Sequence, residues 1–181
     1  SILGADDKAG VAVMLYMMDK NIPGLYYFFI GEERGGVGSY DLVGDYETFD
    51  YLVDIKRCVS FDRRKTNSVI TSQMGRDCCS SDFGNALCKE YNKSGLSLSL
   101  DNTGMFTDSA VFMEHIPECT NISVGYNNEH THKEIQNITY LEKLAEASIK
   151  IDWKSLPTTR KIGINSEVVR KYRGMLSLIH I

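Results

Sequence analysis

The residues of this chain whose types suit metal chemistry fall into four stations. Asp6 and Asp7 stand in Gly4-Ala5-Asp6-Asp7-Lys8-Ala9-Gly10, and Glu32 and Glu33 in Gly31-Glu32-Glu33-Arg34-Gly35-Gly36. Asp62 closes Ser60-Phe61-Asp62. His130 follows Asn128-Glu129, with Glu134 close behind. Carboxylate oxygens and imidazole nitrogens are donors that zinc takes at roughly 2.0–2.2 Å. Each station alone has a plainer reading. Asp6 and Asp7 suit a helix N-cap, and Glu32 and Glu33 suit the positive end of a helix dipole. Asp62 suits a turn, and His130 a solvated loop, like His115 and His132. What links the stations is placement: they fall at the ends of predicted strands or in adjoining loops, where open α/β sheets bind ligands.

Strand and helix signals alternate along the chain, which argues for an α/β sandwich around a largely buried sheet. Residues 8–20 predict a helix with Val11, Leu15 and Met18 as its apolar stripe. Residues 25–30, Leu-Tyr-Tyr-Phe-Phe-Ile, predict a buried strand that ends at Gly31. A helix is expected to start in 36–43, and short strands at 51–54, 58–61 and, more weakly, 68–71. Residues 80–94 predict a helix capped by Ser81 or Asp82, with Phe83, Leu87 and Tyr91 at helical spacing. A short helix is expected over 107–115, a strand over 121–125, a polar loop over 127–136 and an amphipathic helix over 140–153.

Taken in order, Gly-Ala-Asp-Asp-x-Ala-Gly, Gly-Glu-Glu-x-Gly-x-x-Gly-Ser, a strand ending in Asp and a late His resemble the co-catalytic dizinc exopeptidase superfamily. Its members include bacterial leucyl aminopeptidases, glutamate carboxypeptidase, tripeptidase T and glutamyl aminopeptidases. The resemblance covers most of residues 1–153, and the first two motifs carry most of its specificity. It implies a three-layer α/β sandwich with a mixed, mostly parallel central sheet flanked by helices. It also implies that Asp6 bridges two zinc ions, that Glu33 and His130 complete one site, and that Asp62 serves the other. Glu32 matches the general base. Asp7 and Asp108, the latter in Thr107-Asp108-Ser109, are expected to support the ligands or cap helices. The peptide after the bridging Asp is often cis in such proteins, which here is Asp6–Asp7.

The implied activity is zinc-dependent hydrolysis at the N-terminus of peptides, through a metal-bound hydroxide with Glu32 as base. The expected partner is a peptide or small amide. A related carboxypeptidase or N-acyl amide deacylase is the alternative, and a non-catalytic relative a further one. The short interval between Glu33 and His130 leaves no room for the lid domain such relatives often carry, which favours the single-domain aminopeptidase type. The superfamily also supplies a His-x-Asp segment upstream of the bridging Asp, and no matching segment precedes Asp6. The expectation is therefore an N-terminally truncated catalytic domain over 1–155, holding one zinc or a partial complement, and weakly active or inactive as it stands.

The rest of the sequence bounds these readings. A net charge of -4 gives no basic face for nucleic acid or anionic lipid. No apolar run reaches the roughly 20 residues of a membrane span. The five cysteines contain no C-x-x-C, which argues against a thiolate zinc site and for structural thiols in a reducing compartment. A cytoplasmic location is expected on that basis. Residues 156–175 fit no element clearly. Residues 176–181, Leu-Ser-Leu-Ile-His-Ile, are what CTG-TCT-CTT-ATA-CAC-ATC encodes, which resembles a sequencing-library adapter. Read-through is expected there, so His180 is set aside as a ligand.

Overall fold

The computed structural model describes residues 2–44, 52 and 54–162. The sheet has four strands in the order β1-β6-β2-β5: β1 (Arg57–Arg63), β2 (Ser68–Ile70), β5 (Ser99–Asp101) and β6 (Glu118–Ser123). β1 runs parallel to β6, and β2 parallel to β5, while β2 and β6 are antiparallel. Two small hairpins stand apart from it, β3 (Ser72–Gln73) with β4 (Arg76–Asp77), and β7 (Tyr126–Asn127) with β8 (Ile135–Gln136). The flanking helices are α1 (Ala5–Asp19), α2 (Val37–Gly44), α3 (Ser81–Lys93), α4 (Asp108–Val111) and α5 (Ile138–Ser148). The result is the expected α/β architecture with a mixed, mostly parallel sheet.

β6 explains how the sheet is held. Its sequence, Glu-Cys-Thr-Asn-Ile-Ser, is mostly polar, yet every residue is buried. Burial of polar groups is costly unless they are hydrogen-bonded, and here each has a partner. Glu118 accepts hydrogen bonds from the Ser80 amide (2.7 Å) and from the amides of Thr159 (2.7 Å) and Arg160 (2.9 Å). Thr120 donates to the Ile70 carbonyl, and Ser123 to that of Arg64. Asn121 accepts from the backbone amide of Asp62. The expectation of a strand over 121–125 therefore places its centre too late, because polarity hid its first half.

α1 also buries a different face from the one expected. Val11, Leu15 and Met18 are 36%, 53% and 44% exposed, whereas Ala9, Gly10, Val13 and Met17 are buried. The cause is the closeness of α1 to β1. A Cβ added at Gly10 would stand 1.8 Å from the Phe61 carbonyl oxygen. Small residues select the contacting face, and the larger apolar side chains are left outside.

Residues 25–30 form no sheet strand, contrary to expectation. Tyr26 and Phe29 pack against the core, and Phe29 stacks on Phe112 with centroids 5.9 Å apart. Leu25, Phe28 and Ile30 are exposed. An apolar run implies a buried strand only where neighbours supply both the hydrogen bonds and the covering layer. The strand expected over 51–54 lies partly outside the described residues; Leu52 is helical and Asp54 lies in a turn. α3 is capped by Ser80 rather than Ser81 or Asp82, its hydroxyl accepting from the Phe83 amide. α5 begins at Ile138, earlier than expected, because Asn137 caps it by accepting from the Tyr140 amide. It ends at Ser148, whose carbonyl accepts from the Trp153 indole.

Candidate metal centre

Asp6 is held at the start of α1, in a stretch that is not yet helical. Asp6 and Asp7 have non-helical dihedrals, and the peptide between them is cis. Asp7 accepts from the Gly10 amide at 3.0 Å, in the manner of an N-cap. Glu32 and Glu33 occupy a 3-10 turn, Glu32–Arg34, bounded on both sides by left-handed glycines, Gly31 and Gly35. Gly36 has φ 73 as well, and its amide bonds back to the Gly31 and Glu32 carbonyls. This glycine-lined turn folds the chain back tightly, so both carboxylates project from one short loop.

His130 lies in the loop that joins β7 to β8. Its Nε2 is 2.9 Å from Asp6 Oδ2 and 2.6 Å from Glu33 Oε1. Donor atoms of Asp6, Glu33 and His130 thus lie within 4.8 Å of one another. A tetrahedral zinc ion separates its ligand atoms by roughly 3.3–3.6 Å; the 2.6 and 2.9 Å contacts are ion-pair distances, so the imidazole would have to draw back from each carboxylate by about 0.4–1 Å to share an ion with them. Asp62, the last residue but one of β1, stands close enough to Asp6 for the two carboxylates to perturb each other's ionisation. Its carboxylate also accepts from Thr107 Oγ1 at 2.7 Å and from the Tyr126 hydroxyl at 3.2 Å. Asp62 therefore adjoins the triad without belonging to it. Glu32 stands within electrostatic reach of Asp62, Glu33, Asp108 and Asp6.

The electrostatics follow from gathering these acids. Burial, then repulsion from Asp62, raises Asp7 to about 9. Burial raises Asp62 to about 7 against the opposing Thr107 hydrogen bond, with Asp6 adding repulsion. Burial raises Glu32 to about 7, with Asp62 and Glu33 contributing next. Asp6 is raised by burial and by Glu33. The imidazole of His130 is held above its usual range: desolvation opposes the charge, but Glu33 and Asp6 together outweigh it. A site in which carboxylates force one another toward neutrality is one that a cation relieves.

Around this centre Thr107 and Tyr126 have no role in the sequence reading of the site, while Glu134 and Asp108 take more definite places than it gives them. Thr107 is positioned as the N-cap of α4, yet its hydroxyl bonds Asp62 and makes no cap bond. Tyr126 donates to both the carboxylate and the carbonyl of Asp62. Glu134 is buried and accepts from the amides of Gly4 (2.6 Å) and Asp6 (3.0 Å). The sequence reading groups it with His130 but assigns it no contact. Asp108 lies in the first turn of α4 near Ser39, and one of its carboxylate oxygens is buried without a hydrogen-bond partner.

No protein-family model matches the sequence, and no curated protein matches it. A solved structure of PhTET1-12s, a dodecamer in its asymmetric unit, superposes with a TM-score of 0.60 at 18% identity. The match covers 82% of this chain and 49% of that one, so this chain spans about half the length of that protein. At that identity the likeness is one of fold. Among the described residues no helix is long and apolar enough to cross a membrane.

Proposed function

We propose that the chain is the catalytic core of a zinc-dependent exopeptidase that acts at the N-terminus of peptides. The observation that carries this reading is the meeting of Asp6, Glu33 and His130. They come from three separate loops, yet their donor atoms fall within 4.8 Å. The fold shared with PhTET1-12s is of the peptidase type, which supports the same reading.

In this reading Asp6, Glu33 and His130 hold zinc. Asp62, beside Asp6 and fixed by Thr107 and Tyr126, contributes to a second site. Bound zinc supplies Lewis acidity and a water acidified toward neutral pH. The protein's own groups do the rest. Glu32, adjacent to a ligand but outside the triad, takes a proton from the attacking water and returns it to the leaving amine. Asp62 stays oriented because two hydroxyls and the Asn121 side chain hold its carboxylate and backbone. The superfamily's remaining ligand, the histidine of a His-x-Asp segment, has no counterpart in residues 1–181.

Glu32→Gln separates chemistry from metal holding. In protein with turnover, it should keep its zinc content and lose at least about 100-fold in kcat on an aminoacyl amide, the lower range for a lost general acid–base. Near-normal kcat in that variant would remove Glu32 from the mechanism.

A further inference from the structure

We infer that Glu134 is a positioning residue that locks the Asp6 loop and the His130 loop into a single metal-holding unit. This rests on the zinc site proposed above and adds a residue to it. The start of α1 needs an acceptor for its amides, since the first N–H groups of a helix have no partner within it. Gly4 stands at the N-cap position in a left-handed conformation, and it has no side chain to offer. The acceptor comes instead from far along the chain. One oxygen of Glu134 takes the Gly4 amide and the other takes the Asp6 amide.

The same loop grips Asp6 a second time. His130, four residues before Glu134, meets the Asp6 carboxylate with Nε2 at 2.9 Å. Asp6 is therefore fixed at its backbone by Glu134 and at its side chain by His130. The loop that does this is itself stiff. Its ends are paired in the β7–β8 hairpin. Thr131 Oγ1 donates to the Asn128 carbonyl, the Glu134 amide donates to the Thr131 carbonyl, and Asn128 Nδ2 donates to the Lys133 carbonyl. Loops that carry ligands are otherwise the most mobile parts of a fold. A buried carboxylate spanning two of them converts two independent positions into one.

Partners that orient metal ligands typically cost 10–100-fold in metal affinity when removed. The test is a zinc titration against a competing chromophoric chelator, on the full chain, for wild type, His130→Ala, Glu134→Ala and Glu134→Gln. Thermal unfolding of each metal-free form is measured alongside. Zinc binding by wild type that His130→Ala abolishes is the reference for the site itself. Against it, Glu134→Ala should weaken zinc 10–100-fold. Glu134→Gln, which keeps one acceptor oxygen of two, should recover part of that loss. If Glu134→Ala does not fold, Glu134→Gln alone decides, with a loss of affinity at unchanged melting temperature expected. Wild-type affinity in the folded Glu134 variants overturns the inference while leaving the zinc site standing. Absence of zinc binding by wild type, or its survival in His130→Ala, overturns the site and the inference with it.

Discussion

Asp7, Asp62 and Glu32 are carboxyls whose folded-state pKa values, about 9, 7 and 7, lie above those of an unfolded chain. The folded protein then binds more protons than the unfolded one between about pH 4 and pH 9. Linkage makes stability fall as pH rises through that window. The contribution of these groups is full below about pH 4 and is lost as each ionises. We predict that the metal-free protein melts at progressively lower temperature from pH 5 to pH 8.5. Added zinc should flatten that slope, because a cation favours the ionised carboxylates. A metal-free melting temperature that rises across this range would contradict the pattern of shifts. The candidate ligands were readable from sequence because long glycine-flanked motifs announce Asp6 and Glu33. Glu134 was readable only as a neighbour of His130, and Thr107 and Tyr126 were not readable as supports of Asp62. Their roles depend on contacts across the chain, such as the Tyr126 hydroxyl on Asp62, that no local spacing encodes.

The elements that present these residues depend on how closely they approach. Gly10 is the tightest case, since its missing Cβ lets α1 rest on the carbonyl of Phe61, next to Asp62. Gly10→Ala should destabilise the fold by about 1–3 kcal/mol, the usual cost of overpacking, as measured by urea unfolding. An unchanged midpoint would mean that α1 does not sit against β1 as described. This contact also explains why helical periodicity chose the wrong face of α1. The stripe of Val11, Leu15 and Met18 is apolar, but the sheet selects small side chains, which a hydrophobicity pattern does not register. β6 fails the same rule in the opposite direction: it is polar in sequence and wholly buried, because its side chains bind neighbouring backbone. The clearer helices, α3 and α5, were legible because each combines a strong apolar face with a local cap, Ser80 and Asn137.

Across the whole molecule, the fold brings loops from positions 6, 33 and 130 to one place beside the ends of the sheet strands. The alternation of strands and helices was enough to read the class of architecture. It was not enough to read the partners of residues 25–30, whose apolar side chains remain partly exposed. The central claim is that this convergence binds zinc through one imidazole and carboxylate oxygens. X-ray absorption at the zinc edge, on protein loaded with one equivalent of metal, tests it most directly. The account predicts a first shell of nitrogen and oxygen at roughly 2.0–2.2 Å, with the outer-shell scattering of a single imidazole that disappears in His130→Ala. A sulfur shell near 2.3 Å, or an imidazole signature unchanged in that variant, would contradict it.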